Sequence, residues 1–225
     1  MQTTKSQILE VLKRTGGSTV DELAQRLGLA PMTIRQHLTT LERDELVYAS
    51  EVRRPTGRPH YVYRLTEKGD ETFPRRYDRL ATLLLQEVGG LDPREIEGRT
   101  AEEKTALVFE KVADRLAQQY AARLAGKSLE EKVAEVAAIL HTEGGFADWA
   151  RTERGFEIRD YNCVYRRVAA TSGQVCQWHV RLLSRLLGTG VRCDERLSAG
   201  GECCRFVIEV PEGLGARTWE GQDQA

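Results

Sequence analysis

Apolar residues recur at helical spacing from the start of the chain. In "TKSQILEVLKRTGG", Ile8, Leu9 and Leu12 share one face, and Gly16–Gly17 ends the pattern. In "STVDELAQRLGLA", Thr19 and Glu22 stand three apart as a capping box, so a helix starts there. Its face is Leu23, Ala24 and Leu27, and Gly28 supplies a turn. Pro31 opens a third helix, "PMTIRQHLTTLERDELV", with Ile34, Leu38 and Leu41 inward. The period then shortens. "LVYASEV" and "HYVYRLT" alternate as paired strands do, around a tip, "RRPTGRP", too rich in Pro and Gly for either element. Two helices joined by a glycine turn and followed by a hairpin predict a winged helix-turn-helix.

Farther on, "YDRLATLLLQEVGG" carries an apolar run from Leu80 to Leu85, wider than one amphipathic stripe, which predicts a helix covered on most sides, either by a second copy of the chain or by the chain's own core. Capping boxes at Thr100/Glu103 and Ser128/Glu131 predict helices over 101–125 and 129–142. Val108, Val112, Leu116 and Tyr120 form the buried stripe of the first. Asp148, Trp149, Arg151 and Glu153 read as helix end and loop. "GFEIRDYNC" reads as a strand, "QVCQWHVRLLSRLLG" as a helix ending at Gly188, and "VRCDERLS" with "CCRFVIEV" as a hairpin turning at "AGGE". The fold class is therefore α+β: an N-terminal winged helix-turn-helix over 1–70, a helical connector over 71–95, a C-terminal α+β domain with a small antiparallel sheet over 96–215, and a loose polar tail over 216–225.

Charge sharpens the first assignment. The net charge is −1, but residues 1–68 carry 11 Lys+Arg against 8 Asp+Glu, so the basic excess lies at the N-terminus. Thr33, Arg35, Gln36, Thr39, Thr40 and Arg43 lie off the apolar face of the third helix. Arg suits guanine edges, Gln adenine edges, and Thr a base or a phosphate. Arg53, Arg54 and Arg58 on the hairpin tip suit a minor groove or a row of phosphates. The expected partner is double-stranded DNA. No apolar run reaches the roughly 18 residues of a membrane helix, and the start has no signal-peptide plan, so a cytoplasmic location is expected. No His–Asp or His–Asn partnership supports an enzyme.

All five cysteines, Cys163, Cys176, Cys193, Cys203 and Cys204, fall in the last third. In a reducing compartment they point to metal, redox chemistry or packing before disulfides. No CxxC is present, against a zinc ribbon or a thioredoxin-like dithiol. Cys203 and Cys204, adjacent on a strand, face opposite sides, so four thiols at most converge readily, as a four-thiolate cluster requires. His179, three residues after Cys176, reads as a packed or surface histidine.

The head resembles ArsR- and MarR-like regulators through "MTIRQHLTTLERDELV" followed by "GRPHYVYRLTEKG". With the cysteine-bearing end, nearly the whole chain resembles the SufR-type iron–sulfur regulators. Cys163, twelve residues and Cys176 match the family motif, as does Cys204 before "RFVIEV". The family's third cysteine falls near Gly190, which is glycine here; Cys193, three residues on, substitutes for it if the loop turns it inward. The resemblance implies metal ligands Cys163, Cys176, Cys193 and Cys204, a [4Fe–4S] rather than a [2Fe–2S] cluster, and a homodimeric repressor of iron–sulfur assembly genes on an inverted repeat. The alternative from the residues alone is a winged-helix regulator whose C-terminal domain takes a small apolar ligand or senses thiol oxidation, without a cluster.

Overall fold

The computed structural model describes residues 3–52 and 60–210. The head begins with α1 (Thr4–Thr15), α2 (Val20–Leu27) and α3 (Pro31–Arg43). Thr19 and Glu22 exchange the two bonds of the capping box, and Gly28 closes α2 in the left-handed region (φ 66°). The wing strands β1 (Val47–Val52) and β2 (His60–Leu65) pair antiparallel, Val47 opposite Leu65. Ser18 bridges to Tyr63 through two backbone hydrogen bonds, which ties the turn before α2 to the wing. Ile8, Leu12, Leu23, Ile34, Leu38, Leu41 and Val47 form the head's core. A one-turn helix, α4 (Glu67–Asp70), follows. Its Gly69 lies so close to the main chain that an added Cβ would sit 2.0 Å from the Leu46 carbonyl oxygen.

The body comprises α5 (Tyr77–Gly89), α6 (Pro93–Ile96), α7 (Ala101–Leu124), α8 (Leu129–Thr142), β3 (Ala147–Thr152), β4 (Gly155–Asp160), α9 (Arg166–Thr171), α10 (Gly173–Leu187), β5 (Val191–Glu195), a 3-10 turn (Leu197–Ala199) and β6 (Cys204–Glu209). The four strands form an antiparallel sheet in the order β3-β4-β6-β5. Val112, Leu116, Val133, Val136, Trp178 and Leu183 from the helices meet Ile158, Phe206 and Ile208 from the sheet in one core. The apolar run of α5 divides. Leu80 and Leu83 join this core, while Leu85 and Val88 are 73% and 53% exposed.

One expectation is corrected. Asp148, Trp149 and Arg151 belong to strand β3, not to a helix end and loop, and Glu153 sits in the turn to β4. β3 is an edge strand in which only Ala147 is buried, so its sequence has no alternation and its conformation comes from pairing with β4.

Candidate functional site

Two regions carry chemistry. The first is the outer face of α3. Packing of Ile34, Leu38 and Leu41 into the head turns Arg35, Gln36, Thr39 and Arg43 outward, with Thr33 and Thr40 half-buried at the edges of that face. Arg43 is paired with Asp44 at the helix end. The Thr39 hydroxyl donates to the Arg35 carbonyl and the Thr40 hydroxyl to the Gln36 carbonyl, each at 3.0 Å. Both donors are therefore engaged, and each oxygen faces outward as an acceptor. Met32 stands 62% exposed at the start of the helix, an apolar side chain of the kind that suits a thymine methyl. Among the described residues the face thus presents cations, an amide, hydroxyl acceptors and one apolar contact. The expected wing residues Arg53, Arg54 and Arg58, and the tail over 216–225, lie outside the described residues.

The second region is the cysteine-bearing end of the body. Cys163 follows β4, Cys176 sits in the first turn of α10, Cys193 is on β5 and Cys204 opens β6. All four are half-buried against the body's core. Their electrostatic neighbours form a closed ring: Cys163 with Cys176, Cys176 with Cys193, Cys193 with Cys204, and Cys204 with Cys163. Cys203 is outside it. It lies in the bend before β6, not on the strand, its charged surroundings are Glu195, Arg159, Arg205 and Glu157, and its Sγ lies 3.9 Å from a Glu195 carboxylate oxygen. Among the described residues no three His, Cys, Asp or Glu side chains come close enough to hold a single metal ion.

Burial governs the thiols. It pushes Cys163 up to about 11, against a backbone hydrogen bond from Tyr165. It raises Cys204 further, against one from Leu197, and raises Cys193 against the side chain of Arg196. Burial thus favours the protonated thiol at Cys163, Cys193 and Cys204, and Cys163 and Cys204 each have a backbone donor already directed at the sulfur. Cys176 Sγ lies 3.4 Å from Ser198 Oγ, and Cys193 Sγ donates to the Glu195 carbonyl at 3.1 Å. Reactive sensor thiols show the opposite character, low pKa with exposure. His179 packs edge-on against Phe206 at 5.3 Å, and burial lowers it to about 4, so it is neutral.

Sequence reasoning did not single out a third group, which links the two regions. Asn162, immediately before Cys163, is fully buried. Its amide donates to the carbonyls of Gly144 (2.7 Å) and Pro74 (3.0 Å), and it accepts from Arg75 at 2.6 Å. The only signal in the sequence is adjacency to a cysteine.

Residues 1–48 match the family model described as winged helix-turn-helix DNA-binding. The N-terminal head is accordingly a DNA-binding domain of the winged helix-turn-helix type. No curated protein matches the chain. A solved transcriptional regulator homologue from Pyrococcus horikoshii OT3 is 26% identical over 39% of this chain and 82% of its own, with a TM-score of 0.28. Lactococcus lactis ZitR is 23% identical over 52% and 81%, at 0.27. Bacillus subtilis PadR, solved in complex with operator DNA, is 14% identical over 61% and 77%, at 0.28. Such scores describe a local likeness only. No helix among the described residues is long and apolar enough to cross a membrane.

Proposed function

We propose that this protein is a homodimeric, sequence-specific transcriptional repressor that senses iron–sulfur status through a [4Fe–4S] cluster ligated by Cys163, Cys176, Cys193 and Cys204. Its targets on this reading are iron–sulfur assembly genes. The observation that carries the reading is that Cys163, Cys176, Cys193 and Cys204 each feel two others of the set electrostatically, whereas the charged neighbours of Cys203 are glutamates and arginines.

The donor set fits the group. Four cysteinates are the ligand complement of such clusters. Among the described residues no single-ion site is preformed, so zinc on the same cysteines is separated from a cluster by the iron and sulfide measurement below. The backbone donors from Tyr165 and Leu197 suit bound cysteinate, and ligation would displace the thiol protons. When bound, the cluster supplies a covalent junction that is lost on oxidation or iron shortage. The chain's own contribution is to bring the end of β4, α10, β5 and β6 to one place.

On DNA, Thr33, Arg35, Gln36, Thr39, Thr40 and Arg43 present the reading face to the major groove, and Arg53, Arg54 and Arg58 hold the flanking groove. Two copies related by a two-fold axis read an inverted repeat. The exposed Leu85 and Val88 supply apolar surface for the second copy.

The alternative of a small apolar ligand gains less support. The apolar cavity beside Trp178, lined by Leu116, Ile139, Leu182 and Leu183, holds about 60 Å³, against the roughly 300–1,000 Å³ of ordinary ligand sites.

The test is iron and acid-labile sulfide per chain, with a visible spectrum, on protein purified without oxygen. Wild type and Cys203→Ser are expected to carry both. Serine at 163, 176, 193 or 204 is expected to lose the spectrum. A colourless wild type after anaerobic reconstitution, or a loss confined to Cys203→Ser, overturns the cluster reading and leaves the DNA-binding head untouched.

A further inference from the structure

The head is docked on the body, and the docking runs through the segment that carries Cys163. Asp70, the last residue of α4, accepts from three cations. Lys13 comes from the last turn of α1, Arg75 from the connector at 2.7 Å, and Arg166 from the start of α9 at 2.9 Å. Lys13 is buried, Asp70 is half-buried, and Arg166 is partly exposed. Burial alone would raise the Asp70 carboxyl, yet Lys13 first, with Arg166 and Arg75, holds it below the ordinary range. Asp70 is thus a committed carboxylate at the junction of head, connector and body.

Two arms lead from it to Cys163. The direct arm is Arg166, three residues on. The indirect arm is Arg75, which bonds Asp70 and Asn162 together. Arg167 adds a bond to Glu71. Arg14, next to Lys13, bonds Asp148 and lies over the rings of Phe146 and Tyr161, each at 5.7 Å. The body's charged contacts on the head therefore come from Asp148 near the start of β3 and from the segment after β4. Beside Asp70 lies an open cleft of about 480 Å³, lined by Thr66, Glu67, Glu71, Arg166, Arg167 and Ala170. The head therefore meets the body beside this cleft.

We infer that Asp70 is the positioning residue through which the state of the Cys163 segment reaches the DNA-binding head, with Arg166 and the Arg75–Asn162 pair as its two arms. With Asp160–Arg167 held in order, both arms are closed and α3 keeps one angle to the body. Loosening at Cys163 opens the arms, and the head turns into the cleft. In a dimer this changes the separation of the two reading helices, which DNA fixes at about one helical turn. The direction of the signal rests on the cluster reading; the coupling itself does not.

The experiment is hydrogen exchange on the full chain as wild type, Cys163→Ala, Arg75→Gln/Arg166→Gln and the combined variant. Cys163→Ala is expected to speed exchange about tenfold or more, both in Tyr161–Thr171 and in the last turn of α1 and Gly69–Thr72. In the Arg75→Gln/Arg166→Gln background the head amides exchange fast already, and Cys163→Ala adds nothing there. Contacts in one network are non-additive in this way. Exchange confined to the body, or equal increments in both backgrounds, overturns the coupling. Arg166→Gln alone replaces the double variant if that one does not fold. It is expected to reduce the increment at the head by at least half, and an unchanged increment overturns the direct arm. Where iron is bound, the ratio of DNA affinities with and without the cluster should fall to about one in the arm variants, at unchanged iron per chain. A ratio that keeps its wild-type value overturns the proposal. A chain that never binds iron fails the cluster reading alone, since the exchange comparison still decides the coupling.

Discussion

Cys204 stands directly opposite Asp160 in the ladder that joins β6 to β4. Asp160 is buried, and its carboxylate accepts the backbone N–H groups of Phe146 and Asn162, each at 3.1 Å. Burial outweighs these bonds and raises it to about 6. The unfolded chain titrates the same group near 3.9. Between about pH 4 and 6 the native state therefore holds more protons than the unfolded one, so this group's contribution falls as pH rises through that window and levels off above it. Asp160→Asn, which keeps an acceptor oxygen, is expected to gain stability relative to wild type as pH rises from 4 to 7, by up to about 3 kcal/mol. Urea unfolding of both proteins at the two ends of that range checks it. A difference independent of pH would show that Asp160 does not titrate there.

The reading face of α3 divides into strong and weak positions. Arg35 and Gln36 have free donors, whereas the Thr39 and Thr40 hydroxyl protons are engaged by the helix. On a site enriched from random DNA, Arg35→Ala or Gln36→Ala is expected to lose roughly 10- to 100-fold in affinity, about 1–3 kcal/mol. Thr39→Ala should lose several-fold less. Fluorescence anisotropy at one fixed salt concentration measures all three, with unrelated DNA as control. Equal losses on both DNAs would assign the residues to phosphates instead.

The apolar edge of α5 gives a test of assembly. Leu85→Glu places a charge on the exposed side of a helix whose other side is core, so the fold should stand while the proposed homodimer dissociates. Light scattering is expected to show a monomer, with DNA binding weakened by the loss of the second half-site. A dimer that persists would place the interface elsewhere.

Two glycines of the head separate steric from conformational causes. At Gly69 a Cβ meets the Leu46 carbonyl, part of the main chain that leads into β1. Gly69→Ala is expected to destabilise the head by about 3 kcal/mol or more, since main chain yields poorly. At Gly28 the space is open and only the positive φ resists, so Gly28→Ala should cost about 1 kcal/mol. Thermal unfolding of both variants measures the contrast. Equal effects would mean that α4 shifts to admit the methyl.

The head was legible because its signals are local. Thr19 with Glu22, Gly28 and Pro31 mark boundaries within a few residues, and each has its predicted role. Cys203 and Cys204 were expected on one strand, but β6 opens only at Cys204 and Cys203 lies in the bend before it, among charged neighbours. What escaped is what depends on distant partners. β3 takes its conformation from β4 and has almost no buried side to mark it. α9 spans six residues, too few to express a helical period. Lys13 reads as a surface residue of α1, and its burial follows only from Asp70, 57 positions away. Asp70 and Arg166 are 96 positions apart, and nothing near either one announces the other.

The sheet order has a consequence for how the protein comes into being. β6 lies inside the sheet, between β4 and β5, yet it is the last strand of the body in the sequence. At elongation rates of about 5–20 residues per second, the ribosome completes the head on the order of ten seconds before Cys204 is synthesised. During that interval the nascent chain owns a DNA-binding module while β4 still lacks its inner neighbour. A chain interrupted before β6 would therefore carry the complete head beside a sheet that lacks an inner strand.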